Sequence, residues 1–130
     1  MTYYFSKIVS LGFDEALAAT RESLTRNGFG VLTEIDVKET LHKKLGADFR
    51  PYRILGACNP TMAHKALQAE DKVGTMLPCN VVVQQRDDGK VEVAAVDPVA
   101  SMQAIHNPEL AGIATEVQAL LRKVVESLPS

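Results

Sequence analysis

Hydrophobic and polar positions divide the chain into short periodic segments. From Tyr3 to Val9, Tyr3, Phe5 and Ile8 alternate in part with Ser6 and Lys7, which predicts a first strand. Phe13, Leu17 and Leu24 then recur at spacings of four and seven, one face of a helix over roughly 13 to 27, and Asn27-Gly28 supplies its left-handed stop. Phe29 to Asp36 puts Val31, Thr33 and Ile35 on one face and Leu32 and Glu34 on the other, the pattern of a half-exposed strand. Asp36 with Glu39 three residues later forms a capping-box pattern, Val37, Leu41 and Leu45 follow at spacings of four, and Gly46 closes a helix of about two turns.

Tyr52 to Cys58 has the small and branched residues of a buried strand, and Asn59-Pro60 gives an N-cap followed by proline at the first helical position. The helix is expected to reach about Asp71, with Met62, Ala63, Ala66 and Leu67 as its apolar stripe. A strand follows from Cys79 through Val81, Val82 and Val83. Asp87-Asp88-Gly89 marks a hairpin turn, and Val91, Val93 and Val96 form the antiparallel return strand. Asp97-Pro98 and Asn107-Pro108 read as caps with first-turn prolines. Leu110, Ile113, Val117, Leu120, Val124 and Leu128 place a long C-terminal helix over the core. No linker or repeat interrupts this series, so residues 1–130 read as one α+β domain of about five strands.

The composition fits that picture, with 46% hydrophobic and 23% charged residues in a chain of 130, enough to hold a core without disulfide or metal staples. A formal net charge of -2 supplies no broad positive field for nucleic acid or an anionic membrane, and neither is expected as a partner. Met1 to Lys7 lacks the basic and apolar regions of a signal peptide, and even Ala94 to Met102 is broken by Asp97 and Ser101. The expectation is a cytoplasmic protein whose two cysteines are reduced thiols.

The chemical signal lies in two Cys-Asn pairs, Cys58-Asn59 and Cys79-Asn80. Cys58 stands at a strand-to-helix junction, where unsatisfied N–H groups favour a thiolate. With His64, Met62 and Met76 near in sequence, Cys58 and Cys79 are candidate ligands for copper(I) or zinc. Twenty residues between the cysteines match no zinc-ribbon pattern, and packing of two small apolar thiols is the competing account. Asn59 and Asn80 are candidate ligand-holding amides, against the plainer roles of N-cap and turn residue. Tyr52 and Arg53, with Arg50, could meet an anionic ligand or form a solvated strand edge. His42 and His106 have no evident acid-base partner, and no Walker loop, GxGxxG or His-Glu-x-x-His occurs. Three readings follow: a small-ligand or soft-metal binding module, a thiol-dependent enzyme or redox protein using Cys58 or Cys79, and an interaction domain with no small-molecule site. No particular cofactor is implied. A thioredoxin-type site is disfavoured, since its cysteines would be two residues apart.

At Tyr52-Arg53-Ile54-Leu55-Gly56-Ala57-Cys58-Asn59-Pro60, Ala63-His64-Lys65-Ala66-Leu67 and Leu77-Pro78-Cys79-Asn80-Val81-Val82-Val83 the chain resembles the bacterial family called domain of unknown function 302. The likeness extends to Gly28-Phe29-Gly30-Val31 and to Lys44 through Tyr52, and so over nearly the whole chain. It implies a curved, mainly antiparallel sheet with helices on one face, similar to the TATA-box-binding-protein-like fold in the order β-α-β4-α, and a homodimer. It implies no DNA binding, because fold does not fix function. An antiparallel sheet would bring Cys58 and Cys79 to one end, with Asn59, Asn80 and His64 beside them around a small pocket.

Overall fold

A computed structural model describes residues 2–130. Strands β1 (Tyr4–Val9), β2 (Gly30–Asp36), β3 (Tyr52–Cys58), β4 (Cys79–Gln85) and β5 (Val91–Val96) form one sheet in the order β1-β5-β4-β3-β2. All four pairings are antiparallel. The run β2 to β5 is therefore a meander, whereas β1 lies against β5 at the far edge. Helix α1 (Phe13–Arg26) carries the chain from one edge of the sheet to the other. Helices α2 (Val37–Leu45), α3 (Pro60–Ala69), α4 (Pro98–Ser101) and α5 (Pro108–Glu126), with a 3-10 turn over Asp71–Met76, complete the fold.

The register shows which face is covered. Leu55, Ala57, Cys79, Val81, Val83, Val91, Val93 and Ala95 share one face and are buried with Ala16, Leu17 and Leu24 of α1 and Val117, Leu121, Val124 and Val125 of α5. The two helices are joined through Ser23, whose buried hydroxyl donates to the Val124 carbonyl at 2.8 Å. The α+β expectation and the single-face helix packing hold.

Local chemistry sets the element boundaries. Asp36, Asn59, Asp97 and Asn107 each accept hydrogen bonds from the first-turn N–H groups of α2, α3, α4 and α5, satisfying donors that lack intrahelical partners. Gly46 ends α2 and Gly89 closes the β4–β5 hairpin at positive φ, 64° and 83°, where a glycine pays no steric cost. Two sequence expectations change. The helix expected to reach Asp71 stops at Ala69 and gives way to the 3-10 turn. In β2 a bulge lies between Val31 and Thr33, which pair with Ala57 and Gly56. Val31 therefore joins the core side while Thr33 and Ile35 face away from it, because one extra residue reverses the alternation.

A second, smaller cluster lies beyond one end of the sheet: Ala66, Val73, Met102, Leu110 and Ala114, with Leu77, Val99, Ile105 and Ile113 packed against it. It unites α3, the 3-10 turn, α4 and the N-terminal half of α5. Asn107 fastens this corner, donating from Nδ2 to the Ala69 carbonyl at 2.8 Å. No described helix is long and apolar enough to cross a membrane.

Candidate functional site

The two core clusters leave a cavity of about 320 Å³ between them. Its floor is the sheet end formed by Ala57, Cys58 and Cys79, where β3 stops and β4 begins. Its walls come from Phe29 and Leu32, from Met62, Ala63, Ala66 and Leu67 of α3, from Pro98 and Met102, and from Leu110, Ile113, Ala114 and Val117 of α5. Asn59 is the one lining residue whose side chain carries nitrogen or oxygen, and four others, Cys58, Cys79, Met62 and Met102, carry sulfur.

The antiparallel register brings the two cysteines to this one place. Ala57 faces Cys79 across the ladder, so Cys58 is one residue out of step with Cys79. Cys58 is half-buried and Cys79 is buried, and both are free thiols. Burial pushes the Cys79 thiol up to about 11, and the nearby Cys58 adds to the rise. At neutral pH Cys79 is thus a neutral thiol and a weak nucleophile. Asn59 lies beside Cys58, with Oδ1 accepting from the Met62 N–H at 3.1 Å and capping α3. It is both an N-cap and a cavity-lining residue.

Other sequence candidates go elsewhere. Asn80 follows Cys79 in a regular strand, so its side chain takes the opposite face; it is exposed and borders a shallow hollow with Tyr52. Tyr52 lies on that outer face opposite Gln84, its ring 5.4 Å from the Arg50 guanidinium. Arg50 also donates to Gln84 Oε1 at 2.8 Å. Arg53 is engaged by Glu34 and by Asp36 at 3.2 Å, and Arg21 joins Glu34 from α1, so its charge is matched by carboxylates within the fold. His64 is exposed on α3 and does not line the cavity, and Met76 is likewise exposed outside it. Among the described residues no three His, Cys, Asp or Glu side chains gather as a metal-ligand set. The site expected from sequence thus keeps Cys58, Asn59 and Cys79 and loses Asn80, Tyr52, Arg53 and His64.

Sequence reasoning passed over the wall supplied by α4 and α5. The stripe Leu110, Ile113, Ala114 and Val117 was visible as periodicity, but a helix face reads as core whether it packs against a neighbour or borders a void.

The family model for the domain of unknown function DUF302 matches residues 5–128. A crystal structure of an uncharacterised conserved DUF302 protein from Bacillus stearothermophilus is similar to this chain at 33% identity and a TM-score of 0.90, covering 97% of this chain and 98% of that one. No curated protein matches.

Proposed function

The chain belongs to the DUF302 family, and within that fold we propose that it is a binding module for a small apolar molecule, held in the cavity floored by Cys58 and Cys79. The observation that carries this reading is the character of the cavity wall: eighteen of the nineteen lining residues present hydrocarbon, sulfur or backbone, and only Asn59 offers an amide. Such a pocket, open to solvent past Leu32 and Leu67, offers water few polar partners, so an apolar occupant gains dispersion contacts while displacing weakly held solvent. At about 30 Å³ per water-sized group, the volume suits roughly ten heavy atoms, near the small end of ligand sites.

Binding is favoured over catalysis by the same wall. His42, His64 and His106 are exposed and none borders the cavity, no carboxylate lines it, and Cys79 is held protonated. A soft-metal role would rest on Cys58 and Cys79 with Met62 or Met102 as thioether ligands, since imidazole is not at hand. A cytoplasmic, reducing setting is part of this proposal, as it keeps both sulfurs as thiols.

Native mass spectrometry of protein purified without chelator or detergent tests the reading, followed by titration of an environment-sensitive apolar fluorophore against straight-chain alcohols of increasing length. The expected result is stoichiometric displacement that strengthens with chain length and then stops when the cavity is filled. Absence of saturable displacement at any chain length would overturn it, and a retained metal mass would favour the soft-metal variant.

A second reading, a homodimer, is favoured by the uncovered face of the sheet. Tyr4, Ile8 and Ile35 there are 40%, 37% and 47% exposed, and Ile54, Val82 and Val96 lie between them. An apolar sheet face of this kind is commonly shielded by a second copy. Light scattering at micromolar concentration checks it, and a mass of 14.1 kDa would end it.

A further inference from the structure

We propose that Asn59 reads the polar end of the ligand, so that the cavity takes a neutral aliphatic molecule carrying one acceptor oxygen, such as a ketone or an ester. This rests on the reading of the cavity as an apolar ligand site and adds the one directional contact that its hydrocarbon and sulfur walls lack.

Local backbone geometry aims the Asn59 side chain. Asn59 directly follows the last residue of β3 and keeps extended angles, φ -95° and ψ 108°. Residues two apart in an extended run share a face, so Asn59 lies on the side of Ala57, which is buried at the sheet end and borders the same cavity. The orientation of its amide is fixed as well. Only the oxygen can accept from the Met62 N–H, at 3.1 Å, so capping α3 occupies Oδ1 and leaves Nδ2 as the free end of the group. The Nδ2 groups of Asn27 and Asn107 each donate to a backbone carbonyl, whereas no described residue accepts from Nδ2 of Asn59. Gly28 stands beside that donor. A Cβ at position 28 would lie 3.1 Å from Nδ2, so the bare backbone there keeps the approach to the amide open.

A single unused donor in an apolar wall ranks the possible ligands. An acceptor oxygen placed beside Nδ2 makes a bond that the fold leaves unmade, and in a poorly hydrated pocket that bond counts for more than it would in water. A pure hydrocarbon fills the same space without it. An anionic head is disfavoured for a different reason: no Lys, Arg or His side chain lines the cavity, so a carboxylate would give up water and gain one neutral donor in return. A protonated amine would bring a donor to a donor, with no carboxylate in the wall to receive it.

The test measures displacement of the apolar fluorophore from the full-length protein at neutral pH by methyl heptyl ketone, butylbenzene and octanoate, three compounds close in size to one another and to the cavity. Asn59→Asp is the variant, because aspartate keeps the helix cap and removes the donor. Far-ultraviolet circular dichroism establishes that it is folded. The ketone should lose about tenfold in affinity in Asn59→Asp and butylbenzene less than about threefold, while the wild type should bind octanoate at least about tenfold more weakly than the ketone. The infrared carbonyl stretch of the ketone bound to the wild type should also fall below its position in hexane, a readout that does not depend on the variant. Equal losses for ketone and butylbenzene in Asn59→Asp, octanoate bound as tightly as the ketone, or a carbonyl stretch at its hexane position would each overturn the role of Asn59, while saturable binding of butylbenzene would leave the apolar-cavity reading standing. Failure of all three compounds to displace the fluorophore would overturn both.

Discussion

Thr33 fills the space that any side chain at Gly56 would need: a Cβ built at position 56 would lie 2.1 Å from Thr33 Oγ1 and 2.7 Å from Pro78 Cγ. The two residues pair across β2 and β3 immediately after the bulge. Gly56→Ala should therefore destabilise the fold by about 1–3 kcal/mol, seen as a fall of several degrees in Tm, because two neighbours must move to admit one methyl group. Adding Thr33→Ala should return part of that loss but not all, since Pro78 remains. A melting temperature for Gly56→Ala equal to that of the wild type would contradict the packing described.

Cys79 gives a pH prediction. Its thiol titrates near 11 in the folded chain against 9.0 for the ordinary group. Below pH 9 both folded and unfolded chains hold the proton; between 9 and 11 the unfolded chain releases it first, so stability falls as pH rises through that window. Two pKa units correspond to roughly 2–3 kcal/mol at the top of the window. Urea midpoints measured at about pH 8 and about pH 10.5 should therefore diverge more in the wild type than in Cys79→Ala. An equal shift of the midpoint between the two pH values in both proteins would remove Cys79 as the cause.

Ala114 lies on α5, is 4% exposed, and borders the cavity. Ala114→Leu should direct its added methyls into that space, leaving stability within about 1 kcal/mol of the wild type while weakening uptake of the apolar fluorophore at least about tenfold. Unchanged uptake in a folded variant would place the probe elsewhere.

Asn107 has two separable tasks. Its Oδ1 accepts from the Glu109 N–H at 3.1 Å, and its Nδ2 donates to the Ala69 carbonyl at 2.8 Å, tying the end of α3 to the start of α5. Asn107→Ala should cost about 1–2 kcal/mol and Asn107→Asp less, because an aspartate keeps the cap and loses only the donor. Amide exchange at the C-terminal end of α3 should quicken in both variants, and protection unchanged in Asn107→Asp would show that the tie to Ala69 contributes little.

Much of this architecture was legible because the forces that set it are local. The caps at Asp36, Asn59, Asp97 and Asn107 are side chains bonding to N–H groups two or three residues away, and a sequence displays both partners. The Gly89 hairpin is equally local. The bulge at Val31/Thr33 left no such trace, since its cause is the partner strand and Gly56, twenty-three residues on from Thr33. The site was half legible. Cys58 and Cys79 come to one end of the sheet because β3 and β4 run antiparallel, a property of the whole sheet, and the cavity wall is shared by α3, α4 and α5, which only the fold brings together. The place of Asn80 is legible from local geometry alone. A residue directly after Cys79 within a strand faces the other way, so the two could not share a pocket.

The position of β1 carries a consequence for the order in which the molecule is made. Strands β2 to β4 each pair with the next strand along the chain, but Tyr4 to Val9 finds its partner only at Val91 to Val96. A growing chain holds β1 with nothing for it to pair with until β2, β3 and β4 have been made and β5 follows. Closing that long separation is slow compared with forming a hairpin. The Lys7 ammonium then donates to the carbonyls of Glu126 and Leu128 just where α5 ends. Strand β1 is thus locked by the residues at the end of α5, and loss of the segment from Glu126 to Leu128 would loosen β1.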